Sequence, residues 1–201
     1  MTQKLLVATH NPGKVTEFAA MLADLSIEWL SLDDIGLLKD VAETGVTFQE
    51  NAVLKAQTYA QATGFLTLAD DSGLQVDALN GQPGIYTARY GGPGLTHEDR
   101  YQLLLQNMRD VPWPDRTARF RAVIALAAPD GTLLGPADGG CEGMIAWEPA
   151  GDGGFGYDPV FFLPDRQMTM AQVGPAVKHQ ISHRGRAMQA IEPLLRQVLA
   201  G

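Results

Sequence analysis

The sequence is poor in cysteine, in positive charge and in long apolar runs. Cys141 is the single cysteine among 201 residues, which excludes an internal disulfide framework, favours a reducing compartment and marks Cys141 as a small buried apolar residue. Basic residues number 15 against 23 acidic ones, a formal net charge of -8. We therefore expect no nucleic-acid partner, because duplex phosphates need a basic surface.

No apolar run reaches the length of a transmembrane helix, and the apolar stretch near the N-terminus is too short for a signal peptide. We expect a cytoplasmic protein without a membrane partner. The hydrophobic content of 45% supports a sizeable core. Neither an internal repeat nor a linker divides the chain, so we predict a single domain over residues 1–201.

Several common site motifs are also missing. Ala8 occupies the first glycine position of a Walker A loop, and Val15 stands where that loop needs Ser or Thr. No G-x-G-x-x-G fingerprint is found. His179 and His183 are four residues apart, but Gln180 replaces the glutamate of the H-E-x-x-H zinc motif. The sequence therefore does not predict a zinc site.

Two adjacent acids follow an apolar run that predicts a buried strand. Phe65–Ala69 leads into Asp70 and Asp71, and we expect a turn at Ser72–Gly73. Neighbouring side chains on a strand face opposite ways, so one acid should brace the backbone while the other enters a cleft. Carboxylates at a strand end suit Mg²⁺, which needs few protein ligands. A turn that happens to carry two acids is the alternative for this stretch alone.

The first part of the chain predicts a strand, a loop and a helix. Lys4–Ala8 reads as the strand, Thr9–Lys14 as the loop and Val15–Leu25 as the helix. A loop that ends in lysine at a helix N-terminus can cradle a phosphate. An ordinary connection is the alternative.

A second helix is predicted over Phe48–Thr63, with Thr47 as N-cap, Glu50 completing a capping box and Gly64 ending it. Lys55 on this helix is either a solvated lysine or a further phosphate contact. Later elements follow the same rules: a helix from Thr96 to Met108, a strand over Thr117–Ala128, its return at Thr132–Leu134, a strand at Met144–Trp147 and a terminal helix over Arg186–Leu199, kinked or restarted at Pro193.

Two further stretches carry chemistry. Gly151–Pro159 is dense in glycine and holds aromatic residues, one of which could stack on a nucleobase. A flexible hairpin tip is the alternative. Pro175–Arg186 gathers the densest basic cluster in the chain.

In their order along the chain, these stretches resemble the inosine triphosphate pyrophosphatase family of the Ham1/RdgB type. The resemblance covers nearly the whole chain, and the combination is specific although each motif alone is weak. It rests on Thr9–Lys14, Asp70–Gly73, Phe155–Asp158 and Ser182–Gly185, supported by Glu43–Gly45, Thr47–Ala52, Lys55–Ala56, Pro83–Tyr90 and Gly153–Phe161.

The resemblance implies an α/β fold with an elongated, mixed central β-sheet flanked by helices, and two lobes with a nucleotide-binding cleft between them. It implies a homodimer and Mg²⁺-dependent hydrolysis of ITP, dITP and XTP to the monophosphate and pyrophosphate, which cleanses the nucleotide pool. Two alternatives remain from the residues. A Maf-type pyrophosphatase would prefer methylated or pyrimidine nucleotides, and a nucleotide-sensing module would bind ITP without releasing pyrophosphate.

The resemblance also assigns roles to residues. Asp71 is the expected catalytic acid–base residue and a metal ligand. Relatives often carry two acids before Thr-Gly, but Ala42 replaces the first here, so either Glu43 or water completes the metal site. Arg184, or a backbone N–H near His183, is expected to donate to the 6-oxo group of the base. The expected substrate-binding residues are Thr9, His10, Asn11, Pro12, Gly13, Lys14, Ser72, Phe155, Gly156, Tyr157, Asp158, Lys178, His183 and Arg184.

Overall fold

The computed structural model describes residues 3–38 and 40–200. Met1, Thr2, Lys39 and Gly201, which fall within the predicted domain 1–201, lie outside the described residues. The helices are α1 (Pro12–Met21), α2 (Phe48–Thr63), α3 (His97–Asn107), α4 (Pro175–Ile181) and α5 (His183–Ala200). The strands are β1 (Gln3–Val7), β2 (Ile27–Leu30), β3 (Leu66–Val76), β4 (Thr117–Ala127), β5 (Leu133–Ile145), β6 (Phe161–Leu163) and β7 (Met168–Thr169).

The strands form one sheet in the order β2-β1-β3-β4-β5-β6-β7. β1 runs parallel to both β2 and β3, whereas β6 runs antiparallel to both β5 and β7. The sheet is therefore mixed, which confirms the predicted α/β class. Over the part of the chain that the structure describes, no helix is both long and apolar enough to span a membrane.

The chain divides into two compact units, and each has its own hydrophobic core. The first unit comprises Met1–Asp71, Ala122–Gly139 and Arg184–Gly201, and the second comprises Ser72–Arg121 and Gly140–His183. The core of the first unit includes Phe18, Leu22, Leu68, Ile124 and Ile191. The core of the second unit includes Leu74, Leu104, Met108, Phe120 and Phe161.

The helices predicted to begin at Thr47 and Thr96 are both confirmed. α2 begins after Thr47, whose side chain accepts a hydrogen bond from the Glu50 N–H, and it ends at Gly64 with φ 69°. α3 begins after Thr96, whose side chain accepts from the Asp99 N–H. These ends were predictable because a cap acts within one turn of the helix and needs no tertiary partner.

The turn predicted at Ser72–Gly73 is wrong, because β3 continues through these residues to Val76. β3 lies between β1 and β4 in the sheet, and most of its residues are buried. β1 pairs with the start of β3 at Leu66–Leu68, and β4 lies beside β3 on the other side. Tertiary pairing thereby overrides the turn preference of Asp, Ser and Gly.

Three other boundaries differ from prediction. α1 begins at Pro12 instead of Val15, because Pro12 fits the first helical position after the Asn11 cap. β5, Leu133–Ile145, is one long strand that overlaps both predicted shorter ones. Gly143 within it lies so close to Phe161 that a Cβ atom would come 2.6 Å from the ring, so this glycine serves packing. α5 begins at His183 and is not restarted at Pro193.

Candidate active site

Residues 9–14 lead from β1 into the first turn of α1. Asn11 Oδ1 accepts a hydrogen bond from the Gly13 N–H at 2.8 Å, and Thr9 Oγ1 accepts from the Asn11 N–H at 3.0 Å. Lys14 therefore lies inside the first helical turn and not on a loop as predicted. The first N–H groups of a helix have no partner within the helix. In α1, however, Pro12 has no N–H and the Gly13 N–H donates to Asn11, so the Lys14 ammonium and the positive end of the helix dipole are the features that attract an anion.

Lys14 is the first member of a chain of alternating charges within the first unit. Its Nζ donates to Asp70 Oδ2 at 2.5 Å. Arg184 Nε lies 3.5 Å from Asp70 Oδ1, and the Arg184 guanidinium donates to Glu17 Oε2 at 2.8 Å. Burial opposes charge on Asp70, but Arg184 and Lys14 outweigh it and hold the pKa of Asp70 well below its usual range. Asp70 is thus a buried anion that pairs with two cations, Lys14 and Arg184.

Asp71, the neighbouring acid, belongs to a second group centred on Lys55. Lys55 Nζ donates to Glu43 Oε1 at 2.8 Å, to the Asp70 carbonyl at 2.9 Å and to Asp71 Oδ1 at 3.3 Å. Burial opposes charge on Lys55, but Asp71 and Glu43 outweigh it and raise the pKa of Lys55. Only 11% of the Lys55 side chain is exposed, so the interpretation of Lys55 as a solvated surface lysine is wrong.

The carboxylates of this second group fit a hard divalent cation. Asp71 Oδ2 is buried, and no described residue donates a hydrogen bond to it. Burial raises the pKa of Asp71, and the nearby Glu43 and Asp70 charges add to this against the opposing effect of Lys55. Within the described ranges no three acidic, His or Cys side chains cluster as a metal site. Asp71 and Glu43 therefore fit Mg²⁺, which commonly takes one or two carboxylates and completes its shell with water and phosphate oxygens.

The second unit carries the aromatic part of the predicted site. Asp158 Oδ2 accepts from the Phe155 N–H at 2.9 Å and from Lys178 Nζ at 2.8 Å. The Lys178 ammonium lies 4.9 Å from the centre of the Phe155 ring. Gly154 has φ +72°, and a Cβ atom there would come 2.1 Å from Asp158 Oδ2. The glycine-rich loop is therefore held by a buried carboxylate and is not a loose hairpin tip.

Other predicted substrate-binding residues lie in four places. His183, at the start of α5, stacks on Phe120 with ring centres 4.6 Å apart and an angle of 13°. Tyr157 is buried and donates from its hydroxyl to the Thr87 carbonyl at 3.1 Å. Ser72 is half-buried on β3, Gly156 has φ 65° beside Tyr157, and His10 Nδ1 lies 2.6 Å from Asp33 Oδ1 on the surface.

The family model that matches this chain covers residues 5–194 and is that of the Ham1 family. The chain belongs to the Ham1 family. It is 47% identical to the dITP/XTP pyrophosphatase of Nostoc sp. over 100% of this chain and 98% of that protein. It is 45% identical to the dITP/XTP pyrophosphatase of Geobacillus kaustophilus over 99% of this chain and 97% of that protein.

Solved structures of Ham1 family proteins have the same fold as this chain. A Ham1 protein from Coxiella burnetii matches with a TM-score of 0.87 at 39% identity, over 97% of this chain and 99% of that one. A nucleoside-triphosphatase described as a dITP/XTP pyrophosphatase, from Mycobacterium abscessus, matches with a TM-score of 0.76 at 40% identity. That match covers 95% of this chain and 100% of that one.

Sequence reasoning about this Ham1 family chain missed several partners of its site residues. Glu17 binds Arg184, and its position three residues after Lys14 on a predicted helix was an available signal. Phe120 stacks on His183, and His97 lies 6.5 Å from the Phe155 ring centre. No local pattern marks Phe120 or His97, because each meets its partner from a distant part of the chain.

Proposed function

We propose that this Ham1 family protein hydrolyses non-canonical purine nucleoside triphosphates, namely ITP, dITP and XTP, to the monophosphate and pyrophosphate. Relatives at 42–47% identity over nearly the full length are dITP/XTP pyrophosphatases. The observation that carries the proposal is the Lys55 group. A buried ammonium already stands in contact with the two carboxylates, Glu43 and Asp71, that fit a divalent cation.

The residues of the first unit suit attack of water on the α-phosphorus. Asp71 orients the water and accepts its proton. The bond from the α-phosphorus to the bridging oxygen breaks, and pyrophosphate leaves with that oxygen. Lys14 and the N-terminus of α1 stabilise the negative charge of the leaving group. Mg²⁺, held by Asp71 and Glu43, would polarise phosphoryl oxygens and neutralise part of the same charge.

The residues of the second unit suit binding of the base. Phe155 supplies an aromatic face, on which any purine can stack. Lys178, beside that face, carries N–H donors and no acceptor. Hypoxanthine and xanthine present a 6-oxo acceptor, whereas adenine presents a 6-amino donor. Where the Lys178 ammonium contacts the base edge, it favours the 6-oxo bases over adenine, since an unpaired buried donor costs about 1–3 kcal/mol.

Release of pyrophosphate from a nucleotide panel tests the proposal. We expect turnover of ITP, dITP and XTP, weak turnover of ATP, and loss of activity in EDTA with recovery in Mg²⁺. GTP is included in the panel because guanine also carries a 6-oxo group, so its turnover reports on selection against the 2-amino group. A preference for methylated or pyrimidine nucleotides would instead indicate a Maf-type enzyme. Binding of ITP without pyrophosphate release would indicate a sensing module. Purified Asp71→Asn protein serves as the control for contaminating phosphatases.

We also propose that the protein acts as a cytoplasmic homodimer. The support is its Ham1 family membership and its single buried cysteine, which fits a reducing compartment. Sedimentation velocity over a hundredfold range of protein concentration tests the assembly. A mass of one chain throughout that range would contradict the dimer, and a membrane-bound pool in cell fractionation would contradict the compartment.

A further inference from the structure

An extended segment, Val41–Gly45, is attached to one face of α2 at successive points. The Val41 N–H donates to the Tyr59 hydroxyl at 3.0 Å. Lys55 Nζ donates to Glu43 Oε1 at 2.8 Å, and the Gly45 N–H donates to Asn51 Oδ1 at 2.8 Å. The segment therefore runs in the opposite direction to the helix. Three residues at helical spacing hold three alternate residues of the segment.

The two spacings match. An α-helix advances about 1.5 Å per residue, so the contacts four residues apart on α2 are separated by about 6.0 Å. An extended chain advances about 3.3 Å per residue, so two residues cover about 6.6 Å. The exposure pattern agrees, since residues 41, 43 and 45 are half-buried while 42 and 44 are exposed. Glu43 thus occupies the middle contact of a register that both ends specify.

Gly45 makes the close approach at one end. A Cβ atom at this position would lie 2.7 Å from Asn51 Oδ1 and 2.7 Å from Glu50 Cβ. Any other residue would push the segment away from α2. At the next two positions, Glu50 Oε2 accepts from the Val46 N–H at 2.7 Å and from the Thr47 N–H at 3.2 Å. The segment is consequently anchored where α2 begins.

We infer that Asn51 and Tyr59 are positioning residues that hold Glu43 as a ligand for a divalent cation beside Lys55 and Asp71. Neither side chain needs to touch metal or nucleotide, because each acts through the backbone on one side of Glu43. The inference rests on the proposed function for the identity of the ion. It goes beyond that function because it attributes the position of Glu43 to hydrogen bonds with Asn51 and Tyr59, which are not among the predicted site residues.

Binding of Mn²⁺ to the nucleotide-free protein, followed by the electron paramagnetic resonance signal of free Mn²⁺, tests the inference without relying on activity. Tyr59→Phe removes one hydroxyl and should fold normally. We expect Tyr59→Phe and Asn51→Ala each to raise the Kd for Mn²⁺ about 3- to 10-fold, the equivalent of one lost hydrogen bond. Gln57→Ala is the matched control, since Gln57 also lies on α2 and donates to a loop carbonyl, that of Gly131, at 3.0 Å. It should leave the Kd unchanged.

A double-mutant cycle separates positioning from general stability. In a Glu43→Gln background, Tyr59→Phe should no longer change the Kd for Mn²⁺, because the ligand it positions is gone. An equal change in both backgrounds, an unchanged Kd in both single variants, or wild-type protein that binds no Mn²⁺ would overturn the inference. Pyrophosphate release by the same samples is measured separately. Activity with a negative Mn²⁺ result would reject the positioning role and leave the proposed function standing.

Discussion

Lysine pairing within the candidate site decides which ammonium groups can bind an anion. Lys55 uses its three donors on Glu43, the Asp70 carbonyl and Asp71. It can contact phosphate only by giving up a bond, and the longest is that to Asp71 at 3.3 Å. Lys14 has Asp70 as its hydrogen-bond partner among the described residues. Lys14 is therefore the better placed of the two for direct phosphate binding, and Lys55 chiefly balances the carboxylates.

Asp71→Asn tests the assignment of Asp71 as the catalytic acid–base residue and a metal ligand. The substitution keeps the size of the side chain but removes the proton acceptor and the metal-binding charge. We expect kcat to fall at least about 100-fold, since loss of general acid–base function costs 10²–10⁴-fold, with little change in Tm. Asp77→Asn is a control carboxylate, bound to Arg119 and Thr117 outside the site. Retention of a tenth of the activity by Asp71→Asn would refute the role.

Phe155→Ala tests base stacking. Stacking does not depend on the identity of the base, and it contributes about 1–3 kcal/mol per base. We expect kcat/KM for ITP, XTP, ATP and GTP to fall by similar factors, roughly 5- to 150-fold. Phe162→Ala, which removes an aromatic ring packed on Trp113, is the control. A selective loss for ITP and XTP would mean that Phe155 reads the base and does not merely stack on it.

At the scale of elements, one buried arginine ties three parts of the first unit together. Arg184 on α5 pairs with Asp70 on β3 and Glu17 on α1. Only 4% of its side chain is exposed. Burial opposes charge on Arg184, but Asp70 and Glu17 outweigh it and raise its pKa. These partners favour a role for Arg184 in holding Lys14 and Asp70 in place over the direct contact with the base that the sequence predicts.

Arg184→Ala distinguishes the two roles. Removing one partner from a buried ion pair costs about 3–5 kcal/mol because a charge is left uncompensated. We expect the free energy of unfolding in urea to fall by about that amount, and kcat/KM for ITP and ATP to fall by similar factors. Arg184→Lys, which keeps the charge, should recover part of the stability. A loss confined to ITP, with normal stability, would restore the assignment to the 6-oxo group.

At the scale of the molecule, the packing of the fold does not depend on a metal. The Lys55 ammonium already neutralises part of the charge on Glu43 and Asp71. Each unit also has its own hydrophobic core, which depends on apolar packing alone. The metal should consequently matter for catalysis and not for folding.

Removal of metal tests this separation. We expect EDTA to abolish pyrophosphate release while Tm stays within about 2 °C of its value at a Mg²⁺ concentration close to the Kd, because binding at that concentration adds less than about 1 kcal/mol to the stability of the folded state. An EDTA solution saturated with Mg²⁺ is the control for chelator effects. A large fall in Tm on chelation, with recovery on adding Mg²⁺, would show a structural metal instead.

Local sequence patterns were sufficient to predict secondary structure wherever the interaction that determines it lies within a few residues of chain. The ends of α2 and α3 follow from capping boxes four residues long, and the long strand at Thr117 follows from a continuous apolar run. The start of α1 was readable too, since Asn11 followed by Pro12 is a cap and a first helical residue. The resemblance to the Ham1 family was also visible in the sequence, because it rests on short motifs in a fixed order along the chain.

The sequence by itself determined the α/β class and the family, through motifs placed in order along the chain, and the ends of α2 and α3, through caps that act within one helical turn. Only the tertiary structure decided that Ser72–Gly73 stays in β3, that Lys55 is buried against Glu43 and Asp71, and that Arg184 pairs with Asp70. Those outcomes depend on strand order and on contacts between residues that are far apart in the sequence. Arg184 and Asp70, for example, are separated by more than a hundred residues. A buried charge takes the partner that the fold brings to it, and no spacing along the chain specifies that partner.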